Sequence, residues 1–255
     1  MRYMLLIYLD EHASTARSAA EIRATTALHA PYIEMLRRNA QYLGSDPLGP
    51  ARSALTLRSS AGKPIVTDGP FAESREQLGG FYLIEAHDLD QAIAAAARCP
   101  ALETVAVAIE IRPIPVDGPT EVAPPATYER PSFGRYLLAI YAAEAAQDVS
   151  VDDEQDDESR RALMARWARC VEQLRGSRQL ADAQALAPSG SATTLCRRNG
   201  RVELIDGPFL QSAEQIRGYC VVWARDIEEA VNLASAWPDS ASHAIEVRPI
   251  RSPGG

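Results

Sequence analysis

The sequence has no apolar run near the roughly 18–20 residues that a bilayer-spanning helix needs, and its chemistry has to be sought in a water-facing fold. Positive charge is also short. With 26 Lys and Arg against 34 Asp and Glu the formal charge is −8, and no basic stripe is present that could displace counterions from phosphates, which excludes nucleic acid as a main partner. Cysteine is scarce. Cys99, Cys170, Cys196 and Cys220 show no Cys-x-x-Cys spacing, which leaves neither a disulfide framework nor a zinc motif and fits small buried thiols in a reducing compartment. P-loop glycines, a dinucleotide-binding fingerprint and a nucleophile elbow are missing too, so neither a metal nor a cofactor is expected. The N-terminal stretch Met1–Asp10 holds one basic residue, a short apolar run and no small-residue cleavage site. It reads as a first strand, not a signal peptide, which makes the cytoplasm the expected compartment.

What is present is ordinary in bulk and repeated in detail. A chain of 255 residues, 46% hydrophobic and 24% charged, suits two domains of roughly 100–130 residues each. Three blocks recur in the same order. Arg2-Tyr3-Met4-Leu5-Leu6-Ile7-Tyr8 matches Arg135-Tyr136-Leu137-Leu138-Ala139-Ile140-Tyr141. Asp68-Gly69-Pro70-Phe71 matches Asp206-Gly207-Pro208-Phe209, and Ile109-Glu110-Ile111-Arg112-Pro113-Ile114 matches Ile245-Glu246-Val247-Arg248-Pro249-Ile250. The chain is a tandem duplication, with domains expected at 1–115 and 134–251 and a proline-rich, stiff linker at 116–133 between them.

In the first half the apolar run 2–9 reads as a central strand. Residues 15–43 read as helical, but Pro31 would sit inside, so the main helix is expected to start near Ala30, with a loop from Gly44 to Pro50 after it. Residues 54–58 and 64–67 form a hairpin, 80–86 a further strand. Asp88 caps an alanine-rich helix that Pro100 stops, and 105–112 is the closing strand. The second half repeats this with a strand at 134–141, an acidic run at 152–158, a helix at 159–180, strands at 192–198, 201–205 and 218–224, a helix from Asp226 to Pro238 and a strand at 243–248. Strands interleaved with two helices favour an α+β sandwich in which each half has helices on one sheet face, and two such sheets facing each other would bury the other faces.

On the strength of Asp68-Gly69-Pro70-Phe71-Ala72-Glu73, Gln77-Leu78-Gly79-Gly80-Phe81 and Glu110-Ile111-Arg112-Pro113-Ile114, taken together and echoed in the second half, the chain resembles the YCII-related family, in its Asp-Gly-Pro-Phe branch. The resemblance implies two tandem ferredoxin-like domains pairing as an internal dimeric α/β barrel. It also implies a pocket between helix and sheet that in some relatives holds a His–Asp pair, and for some relatives a genomic link to extracytoplasmic-function sigma factors.

The corresponding candidates are His29, at the expected start of the main helix, and Asp68, aimed by a glycine and a proline. A histidine oriented by a carboxylate is a workable general acid or base. Glu73 and Arg75 in the loop and Arg112 at a strand end are the expected substrate contacts, although an arginine there equally suits a structural pair with a carboxylate. The second half keeps Asp206 but has Trp167 opposite His29, Gln211 opposite Glu73 and Ala213 opposite Arg75. The turn is therefore either structural in both halves or catalytic in the first alone. Two functions remain open: cofactor-free acid/base chemistry on a small cyclic or phenolic metabolite, or a non-catalytic module that binds a metabolite or a protein such as a sigma factor. The internal pseudo-dimer could dimerise again.

Overall fold

The computed structural model describes residues 1–60, 63–72, 74–115, 132–143, 165, 167–198, 200–235 and 243–251. Linker residues 116–131, the acidic run 152–158 and Glu73 lie outside the described residues. The first half contributes β1 (Arg2–Asp10), α1 (Glu11–Thr15), α2 (Ala19–Arg38), β2 (Tyr42–Pro47), β3 (Leu55–Ser60), β4 (Lys63–Asp68), β5 (Glu76–Glu85), α3 (Leu89–Ala96), α4 (Pro100–Thr104) and β6 (Ala106–Ile114). The second contributes β7 (Gly134–Ala143), α5 (167–176), β8 (Leu180–Ala185), β9 (Thr193–Arg198), β10 (Arg201–Asp206), β11 (Glu214–Ala224), α6 (Ile227–Ser235) and β12 (His243–Pro249).

These strands form two antiparallel six-stranded sheets, ordered β10-β9-β6-β1-β5-β2 and β4-β3-β12-β7-β11-β8. The order contains an exchange that the sequence does not announce. The β3–β4 hairpin of the first half is hydrogen-bonded to β12 of the second, through pairs such as Leu57 with Ile245. The β9–β10 hairpin of the second half is bonded to β6 of the first, with Ile109 opposite Leu195. Each sheet is finished by the other half's hairpin.

Alternation along the strands assigns the faces. Tyr3, Leu5 and Ile7 of β1 point outward under α2, α3 and α4, with Tyr32, Leu36, Tyr82 and Ile84. Leu138, Ile140, Val222 and Ile245 of the other sheet point outward onto Trp167, Val171 and Ala230 of α5 and α6. The inward residues of both sheets, among them Met4, Leu6, Phe81 and Leu83 facing Leu137, Ala139, Tyr219 and Val221, form one shared core. Its middle holds the Phe81–Tyr219 ring pair at 5.0 Å, a contact worth about 0.5–1.5 kcal/mol beyond burial. The molecule is thus mixed α+β, with helices outside and two sheets face to face.

Three local expectations are corrected. Helix α2 does not begin near Ala30; it runs unbroken from a capping box at Ser18 and Glu21, with Pro31 inside it. Pro31 is solvent-exposed, so the carbonyl it leaves without a helical partner can turn to water, which moderates the penalty. The helices end before 43 and 180, and the chain continues as strands β2 and β8, where a loop and a helix end were expected. Pro100 is not only a stop, since it opens α4 at a position where its missing N–H costs nothing. The expected helix end at Pro238 lies outside the described residues.

Candidate functional site

The repeated blocks meet. Glu110 and Arg112 stand two residues apart on β6, so both side chains point to the inner face of the sheet; Glu246 and Arg248 do the same on β12. Arg112 is 0% exposed and Glu110 1% exposed. Arg112 Nε donates to Glu110 Oε1 at 3.0 Å, and its Nη1 donates to the carbonyls of Ala187 and Ile216 of the other half, both at 3.2 Å. In mirror fashion Arg248 contacts Glu246 through Nη2 and Oε1, off the in-line hydrogen-bond geometry its counterpart achieves, and its Nη1 donates to the Leu78 carbonyl. The second carboxylate oxygen of each pair is also engaged across the halves. Phe209 N donates to Glu110 Oε2 and Phe71 N donates to Glu246 Oε2, each at 2.9 Å.

This explains what the Asp-Gly-Pro-Phe turn is for. Gly69 and Gly207 adopt φ of 100° and 95°, values that side-chain-bearing residues rarely adopt. Their carbonyls accept from Thr56 Oγ1 at 2.9 Å and Thr194 Oγ1 at 2.8 Å, and their amides donate to Ala54 and Ala192. The turn so fixed presents the phenylalanine N–H to a buried carboxylate of the other half. Asp68 itself is exposed and makes no side-chain hydrogen bond among the described residues.

Between the two turns lies a small cleft lined from both halves. Its lining includes Tyr8, Tyr141, Leu78, Ile216 and Glu246, with Phe71, Gln77, Gln215, Glu76 and Glu214. Gln77 and Gln215 are held by paired donations to loop carbonyls, Gln77 Nε2 to Ala72 and Ser74 and Gln215 Nε2 to Leu210 and Ser212. Phe71 stacks on Tyr141 at 4.2 Å and 16°, whereas Phe209 meets Tyr8 tilted, at 5.1 Å and 43°. Burial and then the Glu110 carboxylate hold the Tyr8 hydroxyl protonated well above the usual phenol range; burial and then Glu246 do the same for Tyr141. Tyr8 is 7% exposed, lines the cleft and has no hydrogen-bond partner among the described residues. Chemically the cleft offers two neutral hydroxyls, aromatic walls and carboxylates at its rim.

The residues singled out in the sequence are not gathered in this cleft. His29 lies on α2, outside the first sheet, where its Nδ1 meets the Tyr82 hydroxyl at 2.5 Å. Burial lowers the imidazole pKa and raises that of Tyr82, so the phenol keeps its proton and donates it to a neutral ring. Asp68 ends β4, at the edge of the second sheet, and no imidazole–carboxylate contact forms between the two. Arg75 is exposed and bound to Asp10, Nε to Oδ2 at 2.8 Å, which fastens the loop to the end of β1. Arg112 has no exposed surface, and the partners named above occupy it. Tyr8, Tyr141, Gln77, Gln215 and Glu246 line the cleft without being among the residues expected from the sequence. The signal was available, since all but the glutamines end or occupy the repeated blocks, and both glutamines stand in the same place after the turn.

A second polar group of note lies at the far edge of the interface. Tyr219 donates to Asp182 Oδ2 at 2.6 Å, and Arg135 grips Asp46 through two bonds at 2.6 and 2.9 Å. Burial pushes the Asp182 carboxyl up to about 6. Among the described residues no His, Cys, Asp and Glu gather in a metal-binding group, all four cysteines are free and buried, and no helix is long and apolar enough to cross a membrane.

The similarities to known proteins follow the duplication. An uncharacterized protein of Rhizobium meliloti (strain 1021) is 39% identical over 127 residues, covering 48% of this chain and 98% of that protein. Two solved structures overlap at low level: a candidate chlorite dismutase, TA0507, with 13% identity, TM-score 0.46 and coverage of 98% of this chain and 94% of the other, and a heme-binding protein from Thermus thermophilus, with 9% identity, TM-score 0.44 and coverage of 98% and 91%. At that overlap neither protein's ligand is transferred to this chain. The sequence model of the YCII-related domain matches twice, at residues 1–115 and 135–252, and the chain belongs to the YCII-related domain family.

Proposed function

We propose that the chain is two ferredoxin-like halves closed into an internal dimeric α/β barrel, and that it works as a small-molecule-binding protein whose ligand inserts a polar group into the cleft, of about 20 Å³, between the two Asp-Gly-Pro-Phe turns. Within each half the sheet core has the order of a split βαβ pair, β6-β1-β5-β2 and β12-β7-β11-β8. The observation that carries the site is convergence. Motif residues from both halves line one concavity, and Tyr8, whose hydroxyl has no hydrogen-bond partner among the described residues, is one of them. Any acid/base step there would use the protonated phenols as hydrogen-bond donors, since their raised pKa values make them poor proton sources.

A thermal-shift screen of small aromatics, alcohols, acids and amines tests this, because a ligand that binds only the folded state raises its melting temperature. Hits should lose their shift in Ala72→Trp, which fills the cleft from its wall, while the free protein's melting temperature stays within a few degrees. Hits that keep their full shift in that variant, or a screen without hits, would overturn the reading.

A further inference from the structure

The two halves supply a control for each other. On the second sheet a cross-strand row runs Arg58, Ala244, Tyr141, Ile216. Arg58 reaches along it to Glu214, with Nη1–Oε1 at 3.3 Å and Nη2–Oε2 at 3.0 Å, and lies 4.9 Å over the Phe71 ring. At this rim of the cleft a carboxylate, a cation and an aromatic face form a complete set.

The equivalent row on the first sheet runs Cys196, Ala108, Tyr8, Leu78. Here the carboxylate is kept as Glu76 and the aromatic as Phe209, but the cation is gone, because Cys196 stands where Arg58 stands in the other half. Glu76 lines the cleft and makes no ion pair or side-chain hydrogen bond among the described residues. The nearest arginine in sequence, Arg75, is committed to Asp10 and feels Glu76 only through space. Tyr8 and Glu246 line the same cleft. The cleft therefore has one uncompensated carboxylate and one hydroxyl without a partner among the described residues, and both can accept from an N–H donor.

We infer that the cleft, with a volume of about 20 Å³, takes the head group of a primary ammonium while the ring or chain that carries it stays at the open rim; the charge sits at Glu76 in the place that Arg58 fills at Glu214, with Tyr8 as a second polar contact. This rests on the cleft being the binding site and adds the class of ligand. An ammonium suits the place better than a carboxylate or phenolate, which would meet Glu76, Glu214 and Glu246 with no free cation among the lining residues.

The test uses three probes of the same size on the full chain, benzylammonium, benzyl alcohol and benzoate, titrated calorimetrically at matched ionic strength. Benzylammonium should bind and benzoate should not. Glu76→Gln should weaken benzylammonium at least about tenfold, the scale of a charge-assisted hydrogen bond, and should leave benzyl alcohol unchanged. Tyr8→Phe should weaken benzylammonium by a smaller factor. Because Glu76 holds no partner, Glu76→Gln should melt like the parent without ligand, which separates lost binding from lost folding. Benzoate or benzyl alcohol binding as tightly as benzylammonium, indifference of benzylammonium to Glu76→Gln, or no binding of benzylammonium would each overturn the ligand class. The first two, if abolished by Ala72→Trp, leave the cleft standing as the site. Benzylammonium binding that survives Ala72→Trp would remove the cleft itself.

Discussion

Arg112 and Glu110 show how a residue can carry a motif without carrying chemistry. Both are ionisable, both are fully buried, and each reaches a backbone group of the other half. Pairs of this kind add little net stability when intact, but cutting one member leaves a charge in a dry place. Arg112→Met should therefore cost about 3–5 kcal/mol in urea unfolding, and adding Glu110→Gln should recover part of that loss. A variant within 1 kcal/mol of the parent would mean that the pair is wet. Asp182 is the residue with a pH signature. Its folded value of about 6 lies above the unfolded value of about 3.9, so the folded state holds the extra proton between them. Stability should fall as pH rises through that window, by on the order of 3 kcal/mol, and stay level above it. Asp182→Asn keeps an acceptor for the Tyr219 hydroxyl and removes the titration. Unfolding midpoints of parent and variant at pH 4, 5, 6 and 7 should diverge across the window, and parallel curves would contradict the assignment.

At the scale of elements, most of the chain was readable. The hairpins, the Asp88 cap and the last strands stand where hydrophobic alternation and turn residues put them. Asp88 Oδ1 does accept from Gln91 N at 2.9 Å. The strands β2 and β8 were not readable, for a definable reason. A helix usually stops with a glycine in the left-handed region just past its end. Here that position is held by Ala40, φ 54°, and Arg178, φ 57°. The closing bonds are formed all the same, Gln41 N to Leu36 O at 2.8 Å and Gln179 N to Leu174 O at 2.9 Å, with Ala40 N to Arg37 O and Arg178 N to Arg175 O inside them. Without the glycine the sequence carries no stop signal for either helix, and the strand order of each half is incomplete from sequence alone. Ala40→Gly should then relieve a left-handed alanine and raise stability by about 0.5–1 kcal/mol, the αL cost less the entropy of glycine. Thermal melting checks the sign, and a loss of stability would show that Ala40 is not strained. The bulge after Leu78 was equally hidden. Gly80 is opposite Ile7 and Leu78 opposite Tyr8, so Gly79 drops out of the ladder, and Leu78 and Phe81 both face inward despite their spacing of three.

The whole molecule is held by exchange, and this level was the least legible, because a hairpin's own sequence does not say which sheet it joins. The candidate pair His29 and Asp68 failed to meet for that reason. The hairpin that carries Asp68 crosses to the second sheet, while His29 stays over the first. The same exchange makes a prediction for the first half alone. Residues 1–115 on their own would expose Met4, Leu6, Phe81 and Leu83 of the inner face, leave β6 as an open edge where β9 now pairs, and strand Glu110 without its Phe209 amide. A second copy repairs all three, because Phe71 and Leu78 can serve Glu110 and Arg112 of the partner subunit as they now serve Glu246 and Arg248. The half-chain should sediment as a dimer, with no folded monomer at micromolar concentration. In that dimer each Arg58 would meet a Glu76, as it now meets Glu214, and both rims of the cleft would be charge-compensated. The half-chain dimer should thus fold and yet fail to bind benzylammonium, whereas Arg58→Cys in the half-chain should open both rims to it. A folded monomer would refute the exchange as a requirement for folding. A dimer that binds benzylammonium as tightly as the full chain would show that the loss of an arginine at Cys196 is not what makes the place for a cation.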